Sequence, residues 1–92
     1  MRLLVNIDLT AADLATFESY EATVLPLVAK HGGRLEMRVR TLDGFCETHL
    51  LFFPDEMSLE AYRSDPERVA VLSEWEASGA RSTRVAVEQV GA

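Results

Sequence analysis

The chain has 92 residues, 48% of them hydrophobic, and carries 15 acidic against 9 basic side chains for a net charge of −6. That length allows one domain, 1–92, which hides roughly two-thirds of its extended surface on folding and has only a thin core. A negative field of this kind repels phosphate, so nucleic acid and anionic membrane surfaces are excluded as expected partners.

The lone Cys46 can form no internal disulfide and offers no cysteine metal cluster. No apolar run approaches a membrane span and no signal-peptide pattern opens the chain, so the expected location is cytoplasmic.

Residues 3–9 alternate as a strand, with Leu3, Val5, Ile7 and Leu9 on one face. Thr10 and Asp13 resemble a capping box with Asp in place of Glu. The helix that follows runs to about His31, with Leu14, Phe17, Val24, Leu25 and Val28 as its expected buried stripe. Pro26 lies inside that stripe and is expected to bend the helix or open a turn. At Gly32-Gly33 the period changes, and Leu35, Met37 and Val39 fall on every second residue. The glycine pair supplies the positive φ of a helix C-cap, and Lys30 and His31 suit the negative end of the helix dipole.

Strand two covers 34–41, Asp43-Gly44 signals a turn, and strand three, 47–53, is the most apolar run. A short helix, with Ser58 as its expected cap, follows Pro54. Asp65-Pro66 restarts the helix, with Asp as N-cap and Pro at the first helical position. This segment is expected to continue through Trp75 to Ser78, where Gly79 stops it, and strand four is 83–90.

The order β-α-β-β-α-β predicts an α+β, ferredoxin-like sandwich, with two right-handed βαβ crossovers interleaved and strands one and three central. Its two helical segments cover one face of the sheet only. The other face is expected to carry Leu4 and, in one register, Leu51 and Phe53, beside Asn6, Asp8, Arg38 and Arg84. A second copy packed sheet to sheet would cover it, which predicts a homodimer.

The run Leu25-Pro26-Leu27-Val28-Ala29-Lys30-His31-Gly32-Gly33-Arg34 resembles the helix-end signature of a small bacterial family of unknown function in the dimeric α+β barrel superfamily. Phe53-Pro54, Ser58-Leu59-Glu60-Ala61-Tyr62 and Ser64-Asp65-Pro66-Glu67 resemble that family's second signature. The resemblance covers nearly the whole chain and implies the fold, not a reaction. Relatives across the superfamily include cofactor-free quinol monooxygenases, muconolactone isomerases and haem-degrading monooxygenases. The haem degraders use an Asn on the first strand, a Trp and a later His that ligates iron. Asn6 and Trp75 are present, but no His follows Trp75, so that ligand has no matching position.

Two residues are candidate catalysts. Glu21 lies on the line joining Leu14 and Val28, so it is either a desolvated carboxylate with a raised pKa or one that a bend at Pro26 releases to water. His49 shares a strand face with Glu47, Leu51 and Phe53, and is either a general acid–base or a satisfied core histidine. His31 and Arg34 flank the glycine pair, where they either bind an anion or serve as a helix cap and a surface arginine. Phe17, Tyr20, Tyr62 and Trp75 are the expected aromatic wall of a small-ligand pocket, with ordinary core packing as the other reading. Two histidines eighteen residues apart place no metal, and no cofactor is implied. Two functions remain open: a cofactor-independent enzyme, monooxygenase-like or isomerase-like, on a small aromatic or polyketide-like molecule, or a non-catalytic small-ligand-binding or accessory protein.

Overall fold

A computed structural model describes residues 1–91. Strands β1 (Arg2–Asp8), β2 (Arg34–Arg40), β3 (Cys46–Phe52) and β4 (Arg81–Val87) form one antiparallel sheet in the order β2-β3-β1-β4. Helix α1 (Leu14–Lys30) links β1 to β2, while α2 (Glu56–Arg63), α3 (Pro66–Ala70) and α4 (Leu72–Ser78) link β3 to β4. The ferredoxin-like α+β arrangement expected from the sequence is therefore present, with β1 and β3 in the centre. No helix among the described residues is long and apolar enough to cross a membrane.

Asp13, not Thr10, caps α1: its side chain accepts from the Thr16 amide at 3.0 Å. The helix continues through Pro26 to Lys30, burying Phe17, Tyr20, Glu21, Val24, Leu27 and Val28. Leu14 is not part of this face and is 47% exposed at the first turn. The helix ends in a Schellman arrangement, in which the Gly32 amide donates to Ala29 at 3.0 Å and the Gly33 amide to Val28 at 2.9 Å. Of this glycine pair, only Gly32 takes positive φ, at 77°. Gly33 is required for a different reason: a Cβ there would lie 2.6 Å from the Phe52 carbonyl oxygen and 2.9 Å from Val28.

The second crossover also departs from expectation. Asp55, not Ser58, caps α2, accepting from the Ser58 amide at 2.8 Å. Asp65 caps α3 as expected, but the helical segment breaks at Val71 into α3 and α4.

The sheet has one covered and one open face. Leu3 and Ile7 of β1, with Glu47, His49 and Leu51 of β3, are buried beneath the helices. Leu51 and Phe53 thus belong to the core with Leu3, Leu27 and Val28, not to the open face. A β-bulge explains a second correction. Leu35 stands opposite Leu51 but Met37 stands opposite Leu50, so Glu36 is an extra residue and the alternation of β2 reverses there. Arg38 and Arg40 consequently turn to the helix side, level with His49 and Glu47, and Arg84 does so opposite Val5. Leu4, Leu50, Met37, Val39 and Val85 remain on the open face.

Candidate functional site

The middle of α1 crosses the sheet where β3 carries two polar residues inward. Strand alternation places Glu47 and His49 on one face, and both are buried. Glu47 is held on every side. Its Oε1 accepts from Arg40 Nε at 2.8 Å, and its Oε2 from Arg38 Nε at 3.1 Å and His49 Nε2 at 2.6 Å. Glu18, one turn before Glu21 on α1, bridges the same two arginines from above. Burial pushes the Glu47 carboxyl up, but the hydrogen bonds from His49, Arg40 and Arg38 outweigh that and hold it below the ordinary value. Because Glu47 is an acceptor here, the His49 proton is assigned to Nε2, and Nδ1 is the ring nitrogen left for other partners.

Glu21 is the opposite case. It is 4% exposed, and its Oε2 is buried without a hydrogen-bond partner. Burial first, and the neighbouring Glu47 charge second, push its carboxyl up to about 7. A buried carboxylate left in this condition costs stability that an apolar residue would not.

Beside Glu21 lies a cavity of about 250 Å³ between the helix layer and the sheet. Val5, Ile7 and His49 form its floor, and Tyr20, Glu21 and Trp75 stand on the helix side. Tyr20 and Trp75 pack with ring centroids 5.3 Å apart. Tyr62 lines the far side, and burial raises the pKa of both tyrosines. Glu21, His49, Tyr20, Tyr62 and Trp75 therefore meet at one cavity.

Three of the other sequence candidates lie elsewhere. Phe17 is fully buried in a neighbouring cluster with Ile7, Leu9 and Ala80. His31 binds Asp65 through Nε2 at 2.7 Å, and Lys30 joins the same oxygen at 2.8 Å. These bonds tie the end of α1 to the start of α3 and hold the Asp65 carboxyl far below the ordinary range. Arg34 lies over the Phe52 ring at 4.2 Å, away from the cavity.

Glu47, Arg38 and Arg40 are the site residues that sequence reasoning missed. Strand spacing puts Glu47 level with His49 but assigns Glu47 no role. The two arginines could not be read from spacing, because the bulge at Glu36 reverses their expected direction. The donor atoms of Glu21, Glu47 and His49 lie within 4.8 Å of one another, close enough to surround a cation. Yet Glu47 already spends both oxygens on Arg38, Arg40 and His49. The Arg38 and Arg40 guanidinium groups already neutralise Glu47, and Glu21 Oε2 remains unengaged.

No family model and no curated protein matches the sequence. Solved structures do match the fold. SnoaB, a cofactor-independent oxygenase from Streptomyces nogalater, superposes with TM-score 0.71 at 16% identity, covering 97% of this chain and 93% of that one. An uncharacterized NIPSNAP domain protein from Burkholderia xenovorans gives 0.68 at 13% identity, covering 100% and 99%. A DABB family protein with a ferredoxin-like fold from Mesorhizobium loti gives 0.59 at 13% identity, covering 96% and 98%. The chain shares the ferredoxin-like α+β fold of these structures.

Proposed function

We propose that the cavity is the active site of a cofactor-independent enzyme that removes a proton from a small, flat, largely apolar molecule. The observation that carries this reading is Glu21, a buried carboxylate with no protein partner at the wall of a cavity. With its pKa near 7, Glu21 is poised to accept and return a proton at neutral pH. The aromatic rings of Tyr20, Tyr62 and Trp75 suit a flat ligand, and His49 Nδ1 offers a second proton-transfer group. Glu47 is a positioning residue that holds His49 in one orientation.

Proton removal leaves a carbanion or enolate. Reprotonation from Glu21 at another carbon is an isomerisation. With dioxygen as co-reactant, the carbanion adds O2, takes up a proton to give a hydroperoxide, and loses water to leave a carbonyl. The second route is the monooxygenase-like one, and SnoaB is described as an oxygenase of the same fold.

A flat enolisable ketone such as 2-tetralone tests the common first step. Proton NMR in heavy water should show the protein accelerating deuterium uptake by roughly tenfold or more, and Glu21→Gln should lose that acceleration. Binding without exchange, and without oxygen uptake, would favour the alternative, a non-catalytic small-ligand-binding or accessory protein.

The open sheet face supports a second part of the proposal, a homodimer. Val39 and Val85 are 51% and 55% exposed there, alongside Met37, Leu4 and Leu50. A second copy of this face, packed sheet to sheet, would cover them. Light scattering should give about twice the chain mass, and Val39→Asp should halve it. A parent mass of 10.2 kDa would overturn the dimer. The lone Cys46, which has no internal partner, fits a reducing compartment such as the cytoplasm.

A further inference from the structure

The arginines of this acid-rich chain are not distributed evenly with respect to its carboxylates. Arg2, Arg34, Arg38, Arg40 and Arg63 each form an ion pair with a glutamate. Arg68, Arg81 and Arg84 form none among the described residues, although acidic side chains outnumber basic ones 15 to 9. Of these three, Arg68 and Arg84 line the cavity.

Arg68 is the more constrained of the two. Its Nη1 donates to the Arg63 carbonyl oxygen at 3.2 Å, and its guanidinium lies 5.1 Å from the Tyr62 ring centroid. Its Nε is buried and has no hydrogen-bond partner. The Tyr20 and Tyr62 side chains stand beside it. A buried guanidinium N–H left without an acceptor costs stability, and the acceptor that restores it best is an anionic oxygen. Arg84 approaches the same space from β4, opposite Val5.

We infer that the cavity takes an anionic ligand, a small aromatic carboxylate whose carboxylate is received by Arg68 and whose ring lies against Tyr20, Tyr62 and Trp75. Nε and the adjacent Nη2 form the edge of the guanidinium that a carboxylate engages through two parallel bonds. Arg84 adds a second positive charge toward the same group. Glu21 carries the opposite charge when ionised, so the acidic end of the ligand is directed to Arg68 and the ring toward Glu21. This inference rests on the cavity being the ligand site, as proposed above, but on no turnover there.

The experiment compares 2-naphthoate with its neutral isostere 2-naphthamide by NMR titration of the Arg68 Nε–H and Trp75 indole signals. The chain has a single tryptophan, so the indole signal reports the cavity alone. Naphthoate is expected to shift the Arg68 Nε–H resonance and to bind roughly tenfold or more tightly than the amide. Arg68→Gln should abolish that preference, and Arg68→Lys, which keeps the charge but not the fork, should retain part of it. If Arg68→Gln fails to fold, the direct Nε–H response and the lysine variant still decide. Equal binding of acid and amide, a preference that survives Arg68→Gln, or no binding of either probe would overturn the inference. Selective naphthoate binding in a protein that never exchanges the tetralone protons would keep this inference and remove the proposed proton transfer. Exchange with no acid preference would do the reverse.

Discussion

The two halves of α1 rest on very different ground. At its C-terminal end Val28 and Phe53 are almost wholly buried, the Gly33 backbone touches the Phe52 carbonyl, and His31 and Lys30 share Asp65. Among the described residues, no buried side-chain polar atom at that end lacks a partner. Two turns earlier, Tyr20 and Glu21 face a cavity of about 250 Å³, and Glu21 Oε2 has no partner at all. The contrast extends to the two buried carboxylates of the site: Glu47 has its oxygens filled by Arg38, Arg40 and His49, while Glu21 stands nearly bare. One half is arranged for stability, and the other keeps an unsatisfied group where a ligand could satisfy it.

The largest expected effect comes from the closed end. Gly33→Val forces a side chain into the space held by the Phe52 carbonyl and Val28, and should destabilise the fold by about 3 kcal/mol in urea unfolding. A change within experimental error would show that the C-terminal end of α1 yields easily, and the contrast would collapse. Glu47→Gln should follow at about 2 kcal/mol, because it leaves Arg38 and Arg40 with only the more exposed Glu18 carboxylate between them. Both arginines keep about a third of their side-chain surface in water, which lowers the cost below that of a fully buried pair.

The closed end was the more legible half. Asp65-Pro66 and Gly32-Gly33 act through their nearest neighbours in the chain, so the helix boundaries they set could be read directly. The role of Gly33 could not, because the Phe52 carbonyl that excludes its side chain is distant in sequence. Similarly, the inward turn of Arg38 and Arg40 depends on one extra residue at Glu36, which leaves no mark in the hydrophobic alternation on either side. Glu21 could be placed on the buried side of α1 by counting turns. Whether Pro26 would release it to water depended on packing against the sheet, and α1 runs on unbroken. His31 and Arg34 looked like a pair because they flank the glycines. Folding sends them apart, one to Asp65 and the other over Phe52.

The third effect is the most informative about the open half, since its sign reverses the usual result of mutating a buried residue. The Glu21 carboxyl has an ordinary value of 4.5 and is raised in the fold to about 7. Below 4.5 the folded and unfolded chains both hold the proton, and the site imposes no electrostatic cost. Between the two values the folded chain binds more protons than the unfolded one, so stability falls as pH rises through this window. Above about 7 the folded chain carries a buried charge that the unfolded chain keeps in water. Glu21→Gln removes the titration while keeping the shape. The variant should therefore match the parent at about pH 4 and exceed it by about 3 kcal/mol at about pH 8, as urea titrations at the two pH values would measure. That gain should shrink when a ligand occupies the cavity and supplies Glu21 with a hydrogen bond. A difference between variant and parent that stays constant across this range would mean that Glu21 finds solvent or a partner in solution. The carboxylate would then be as satisfied as Glu47, and the two halves of α1 would no longer differ in kind.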